Sequence, residues 1–302
     1  MQISTSRLFD RASSQMVTIQ NDLAKSQAQI ASQKQVLNPS DAPDQAAAIS
    51  RLKSVIARQD NYSKALDVVQ ARLDTESTTL TSASDILVRI KELTIQASNG
   101  TQGTVSRMAI ATEMKGLRDQ LVSLSNSTDP NGSYIFSGSR VKSAAFKTNA
   151  DGSVSYQGDQ TKMSIPVGDQ RTLAINRPGT TAFVPVVRDG HGVSFFDAID
   201  SLIAGVKSGD SNVMQRGLTE MDTLHNGVVM AQAQSGTDMK VVEQQGAAID
   251  DTKLSLKTAL SKIEDLDMST AITDMQKLML SLEAAQSSFA KISQLSLFSY
   301  LR

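Results

Sequence analysis

Apolar residues return every seventh position at both ends of this chain. Phe9, Met16, Leu23, Ile30 and Leu37 carry the N-terminal beat, with Ala12 and Ile19 three residues after the first two. Near the C-terminus, Met275, Leu278, Leu282, Ala285, Phe289 and Ile292 alternate steps of three and four, and Leu297 and Phe298 follow. Such seams predict helices packed on helices at a shallow angle. The N-terminal seam stops at "NPSDAPD" (38–44), because proline disfavours helix in the residue before it. Ser40 or Asp41 can cap the next helix.

That next helix is predicted over 44–98. Leu52, Val55, Tyr62, Leu66, Val69, Leu73, Leu80, Ala83, Leu87, Ile90 and Ala97 keep a heptad spacing, broken at Gln59 and Glu76. At 1.5 Å per residue it spans about 80 Å, more than a compact domain of this size offers. It ends at Asn99-Gly100, a pair suited to a left-handed cap. A shorter helix follows with Ile110, Met114, Leu117, Leu121 and Leu124 on one face. Helix is expected again at "SFFDAIDSLIAGV" (194–206) and over 211–266, where Ile249, Leu256, Leu260 and Ile263 continue the step. Gly236 and Gly246 allow a break or kink there, and "DMST" (267–270) reads as a joint with a fresh cap.

Residues 129–190 have a different character. Eight of the 17 glycines lie between Gly132 and Gly192, and four of the six prolines between Pro130 and Pro185. "DPNG" (129–132) and "NADG" (149–152) are turn sequences. Short alternating runs surround them at 133–137, 153–157, 162–167 and 172–176, which predicts a small β-rich domain. The fold class is therefore mainly α: an elongated coiled-coil or helical-bundle rod built from both halves of the chain, with a small inserted β domain.

Composition narrows the function. Charges nearly cancel, at 30 Lys+Arg against 31 Asp+Glu, so no basic stripe offers itself to nucleic acid. No run reaches the ~18 apolar residues that membrane insertion needs. The N-terminus lacks the apolar core of a cleavable signal peptide. There is no cysteine, hence no thiol catalysis and no thiolate metal site. The two histidines, His191 and His225, stand apart, and no nucleophile elbow, Walker loop or zinc-helix motif occurs. "RDGHGVS" (188–194) hints at a phosphate or metal loop, but a turn is the simpler reading. The twelve methionines read as helix core. No cofactor, metal or enzymatic activity is expected.

The ends are also weakly charged. Between Ser281 and Leu301 the ionic residues are Glu283 and Lys291, and the other faces carry Ser, Gln and Ala. A solvated amphipathic helix normally shows a charged outer face. Small polar residues all round suit a helix surrounded by other helices. A plain solvated coiled coil within one molecule is the alternative.

This layout resembles the flagellin superfamily: helical ends that meet, a long helical rod and a variable insert midway. "MQISTSRLFD" (1–10), "VLNPSDAPDQAAAI" (36–49), "GSYIFSGSR" (132–140) and "FAKISQLSLFSYL" (289–301) are similar to the flagellar hook-associated protein 3 family. The resemblance implies a structural axial protein, exported unfolded by the flagellar type III apparatus and placed outside the cell between hook-associated protein 1 and flagellin. It implies further partners in copies of the same chain and an export chaperone, for which the C-terminal amphipathic segment is the natural site. Residues 1–41 and 268–302 would form the inner tube, 42–130 and 190–267 the rod, and 131–189 the outer β domain. The two end segments, with too little to bury their seams, are expected to be disordered in the monomer and to order on incorporation. Phe9, Met16, Leu23, Ile30 and Leu37 with Met275, Leu278, Leu282, Ala285, Phe289, Ile292, Leu297 and Phe298 are then the candidate assembly interface. A short flagellin, or a coiled-coil adhesin, are the alternative functions.

Overall fold

The computed structural model describes the backbone of residues 2–300 and the side chains of residues 7 and 9–291. Its elements are α1 (Gln2–Ser32), α2 (Pro43–Ala97), α3 (Thr104–Ser125), β1 (Phe146–Thr148), β2 (Val154–Tyr156), β3 (Ser164–Pro166), β4 (Thr172–Ala174), α4 (Gly179–Ala182), β5 (Val186–Arg188), β6 (His191–Val193), α5 (Phe195–Ser208), α6 (Ser211–Glu264) and α7 (Met268–Tyr300). The protein is mainly α, with its strands confined to three separate two-stranded antiparallel hairpins.

Local chemistry sets the element ends. Pro43 opens α2 at the position where its missing N–H costs nothing, and Asp44 lies in the first turn, where the helix dipole favours it. Ser194 caps α5 by accepting from the Asp197 amide. Gly209 closes it in the left-handed region at φ 77°, its N–H reaching Gly205 and Val206 carbonyls. The "RDGH" stretch is a two-residue hairpin turn: Arg188 pairs with His191, and Asp189 and Gly190 both take positive φ. Two expectations change. Residues 133–137 form no strand but a loop that buries Ile135 and Phe136. Gly236 and Gly246 do not interrupt α6, which stays helical for 54 residues because intrahelical bonds and packing outweigh a propensity cost of about 1 kcal/mol each.

The chain divides into two compact units, Met1–Arg58 with Asp251–Arg302, and Gln59–Asp250. The second holds two apolar clusters. The larger gathers Leu80, Leu87 and Ile90 of α2, Met114 and Leu121 of α3, Ile199 and Leu202 of α5, and Met221, Leu224 and Val228 of α6. Five of the eight phenylalanines, Phe136, Phe146, Phe183, Phe195 and Phe196, meet edge-to-face within it, their centroids mostly 5.1–5.4 Å apart. So the few aromatics of this sequence are concentrated where the β-rich segment meets helices. The smaller cluster joins Leu66, Val69 and Leu73 of α2 to Val242 and Ile249 of α6, under Val167 and the β3–β4 hairpin.

The first unit contains α1, α7 and the adjoining ends of α2 and α6. Helices α1 and α7 pair antiparallel: the Phe9 and Phe289 rings lie 4.5 Å apart at one end, and Lys34 bridges Asp265 at the other.

Candidate functional site

The heptad seams of α1 and α7 meet each other. Met16, Leu23 and Ile30 on α1, and Met275, Leu278, Leu282, Ala285 and Phe289 on α7, are all half-buried, as is Leu37 in the connector before α2. Phe9 stays 42% exposed although its ring packs, tilted, against Phe289. The Ile292, Leu297 and Phe298 side chains lie outside the described residues. The sequence pattern therefore picked residues that the fold brings into one seam, which two helices alone cover only partly.

A second set of apolar residues on the same pair is more exposed than the seam. Ile272, Met279 and Leu280 on α7 and Val17 on α1 are exposed, Leu280 at 70%. Ile272 and Met279 are one heptad apart, about a quarter turn or more from the seam that faces α1, so the 3-4 count passes over them. Met279 and Leu280, with Leu23, Leu282, Gln276, Glu283 and Gln286, edge a shallow groove of about 430 Å³. Sequence reasoning missed these four residues. Their signal was the apolar character of a second, unassigned face.

The base of the pair is tied at one carboxylate. Glu264, last in α6, accepts from Lys53 of α2 at 2.8 Å and from Lys34 at 2.9 Å, both on Oε1. Those hydrogen bonds hold its carboxyl below the usual range. Two backbone bonds flank it, Gln35 N–H to the Glu264 carbonyl and Leu266 N–H to that of Gln33. Gln33 takes the left-handed conformation at φ 58°, which turns the chain out of α1. Asp267 then caps α7, accepting from the Ser269 and Thr270 amides.

The "GSYIFSGSR" stretch folds around Asp159. The Ser139 hydroxyl and amide and the Thr161 amide donate to its carboxylate, which holds its pKa at about 2. Tyr156 Oη donates towards the Phe136 and Asp159 carbonyls and accepts from the Gly179 amide. Gly138 turns the chain at φ 70°, and a Cβ there would overlap Asp159. These residues build a loop; they converge on no reacting centre. His225 lies 3.0 Å from the Ser84 hydroxyl between α2 and α6, and His191 serves the β5–β6 turn. Among the described residues no group of three His, Cys, Asp or Glu could hold a metal ion, and no helix is long and apolar enough to cross a membrane.

Comparison with known proteins agrees with this architecture. The family model for the bacterial flagellin N-terminal helical region matches residues 3–141, and that for the C-terminal helical region matches 218–301. Flagellar hook-associated protein 3 of Salmonella typhimurium is 27% identical over 99% of both chains. The protein of that name from Escherichia coli is equally similar over the same share. Among solved structures, flagellar hook-associated protein 3 of Legionella pneumophila covers 71% of this chain and 98% of its own, with 17% identity and a TM-score of 0.65. FlgL of Xanthomonas campestris covers 70% of this chain and 99% of its own, with 20% identity and a TM-score of 0.62. Both show the same fold. The chain belongs to the flagellin superfamily, is similar over its whole length to flagellar hook-associated protein 3, and is a structural, non-enzymatic component of the bacterial flagellum.

Proposed function

We propose that this chain joins hook to filament, packing head-to-tail against hook-associated protein 1 on one side and flagellin on the other, with copies of itself around the ring. The observation that carries this reading is the terminal helix pair: a seam only half covered, and a second apolar set, Val17, Ile272, Met279 and Leu280, left largely exposed. Repeated head-to-tail contacts of this kind build open helical tubes rather than closed dimers. In this reading 1–41 and 268–302 line the inner tube, 42–130 and 190–267 form the helical domain, and 131–189 lies outermost. The terminal segments are disordered in the free subunit and order on incorporation, which withholds polymerisation until a partner is present. The subunit is exported unfolded through the flagellar type III apparatus with a chaperone on its C-terminal segment, and works outside the cell.

A strain lacking the chain tests the proposal. Hooks that remain in place while flagellin is shed into the medium are the expected result, and filaments still attached to hooks would overturn it. Flagellins of Listeria are 23% identical over 90% of the chain, which keeps a filament-forming role as the second reading. Long filaments grown from this protein alone on sheared seeds would favour that role.

A further inference from the structure

Three segments of the Gln59–Asp250 unit pass from one apolar cluster to the other, and each does so across polar residues. On α2, Leu73 belongs to the smaller cluster and Leu80 to the larger, with buried Glu76 between them. On α6, Ala231 belongs to the larger and Val242 to the smaller, with Ser235 and Asp238 between. After β4, Ile175 packs on the smaller and Ala182 in the larger, with Asn176 and Arg177 between. Glu76, Arg177 and Asp238 meet in one layer. Arg177 Nε donates to Glu76 at 2.6 Å, and its second arm reaches Asp238 at 3.0 Å.

The layer is buried at Glu76 and Ser235 and opens to water at Asp238, whose side chain is 41% exposed, and its hydrogen bonding is incomplete. Glu76 is 3% exposed, and Ser235 is fully buried with no partner for its hydroxyl. One turn before Glu76, Arg72 is buried too, held by Asp129 and by the Tyr134 and Ile135 carbonyls, with its Nε unpaired. Removing such groups from water offsets most of what their pairing returns, so the layer contributes little net cohesion compared with apolar contact. Apolar side chains across this gap would have merged the two clusters into one core. The smaller cluster is left with six fully buried residues, roofed by a hairpin of three-residue strands. Of the polar bonds that hold this hairpin to the helices, Tyr62 to Asp169 and Arg171 to Gln245 are exposed, and that from Gln245 Nε2 to the Val167 carbonyl is half-buried.

We infer that the Glu76–Arg177–Asp238 layer divides this unit into two blocks that open separately, so that the β3–β4 hairpin and the helix segments beneath it loosen while the aromatic core stays closed. It is a compliant joint inside a structural subunit, independent of which flagellar neighbour the subunit meets. Local opening free energies within one domain track the apolar contact each segment keeps, and the smaller block has far less of it.

Hydrogen exchange on the full-length wild-type protein reads this directly. Amides of 62–73, 165–175 and 239–249 should exchange at least about tenfold faster than those of 80–97 and 221–231, the difference expected of separate opening units. The variant Glu76→Leu with Arg177→Met replaces the layer by apolar contact, and should draw the two blocks to within about threefold of each other. Equal protection of the blocks in the wild type would overturn the inference, whether or not the variant folds. So would a folded variant that keeps the tenfold gap.

Discussion

The two units of this molecule use the same heptad grammar and end up with opposite degrees of burial. All the fully buried apolar side chains among the described residues lie between Leu66 and Ile249, in the Gln59–Asp250 unit. In the unit formed by Met1–Arg58 and Asp251–Arg302, every described seam residue stops at half-buried. The reason is the number of layers. In the first case a third helix, α5 or α3, and the phenylalanine-rich loops close over α2 and α6. In the second, two helices have only each other. A seam between two helices leaves its flanks in water, and at about 25 cal/mol per Å² that uncovered area is what a further helix can gain. Full burial makes a self-sufficient block; half burial makes a surface that gains from a neighbour.

The comparison can be broken most forcefully at the buried charges. Arg177→Met leaves the Glu76 carboxylate buried without its cation, and should cost the Gln59–Asp250 unit about 3–5 kcal/mol at neutral pH in urea unfolding. Burial already holds the Glu76 carboxyl above its usual range, against the pull of Arg177. In the variant that upward shift grows, so protonation relieves the penalty: the loss should be larger at pH 8 than at pH 5. A loss independent of pH would contradict this. Phe136→Ala, at the centre of the aromatic cluster, should cost a similar ~3–5 kcal/mol. Phe289→Ala, which removes a ring of the same size from the terminal pair, should cost less, about 1–2 kcal/mol, because that ring is only half-buried in the single subunit.

Gly138→Ala is a smaller effect in the same block. The left-handed backbone and the clash with Asp159 should cost on the order of 1–3 kcal/mol, read as a lowered melting temperature with the helical signal intact.

The terminal pair is sharpened by charge rather than by truncation. Met279→Glu and Phe289→Asp should leave the urea midpoint of the Gln59–Asp250 unit unchanged and abolish incorporation at the hook, scored by shed flagellin. Incorporation at wild-type levels with Met279→Glu would show that the second apolar set is not used.

Acid gives the smallest effect. The folded pKa of Asp159, about 2, lies below its unfolded value of about 3.9. Its contribution is complete above the unfolded value and is lost as pH falls through the folded one. Asp159→Asn should therefore flatten the stability profile between about pH 4 and 2, measured by melting temperature.

Much of this was legible in the residues. The helix expected over 44–98 runs from Pro43 to Ala97, and its heptad positions from Leu66 to Ala97 are the ones that became core. The runs at 153–157, 162–167 and 172–176 became β2, β3 and β4, since alternation and turn residues act within a few positions of one another. The loop at 133–137 misled because its alternation serves burial of Ile135 and Phe136 beside phenylalanines far away in sequence. The interruption at Glu76 was visible as a missing apolar residue, but its partner Arg177 lies 101 residues away.

By itself, then, the sequence determined the elements, their ends and the face each helix must hide, because those follow from backbone sterics, capping and a fixed period of 3.6 residues. Tertiary structure decided the rest. It set which seams gain a third layer and become core, which apolar residues stay largely exposed on α1 and α7, and where charges from three segments meet to split a single core into two. Those outcomes depend on contacts between residues far apart along the chain, and no local pattern encodes them.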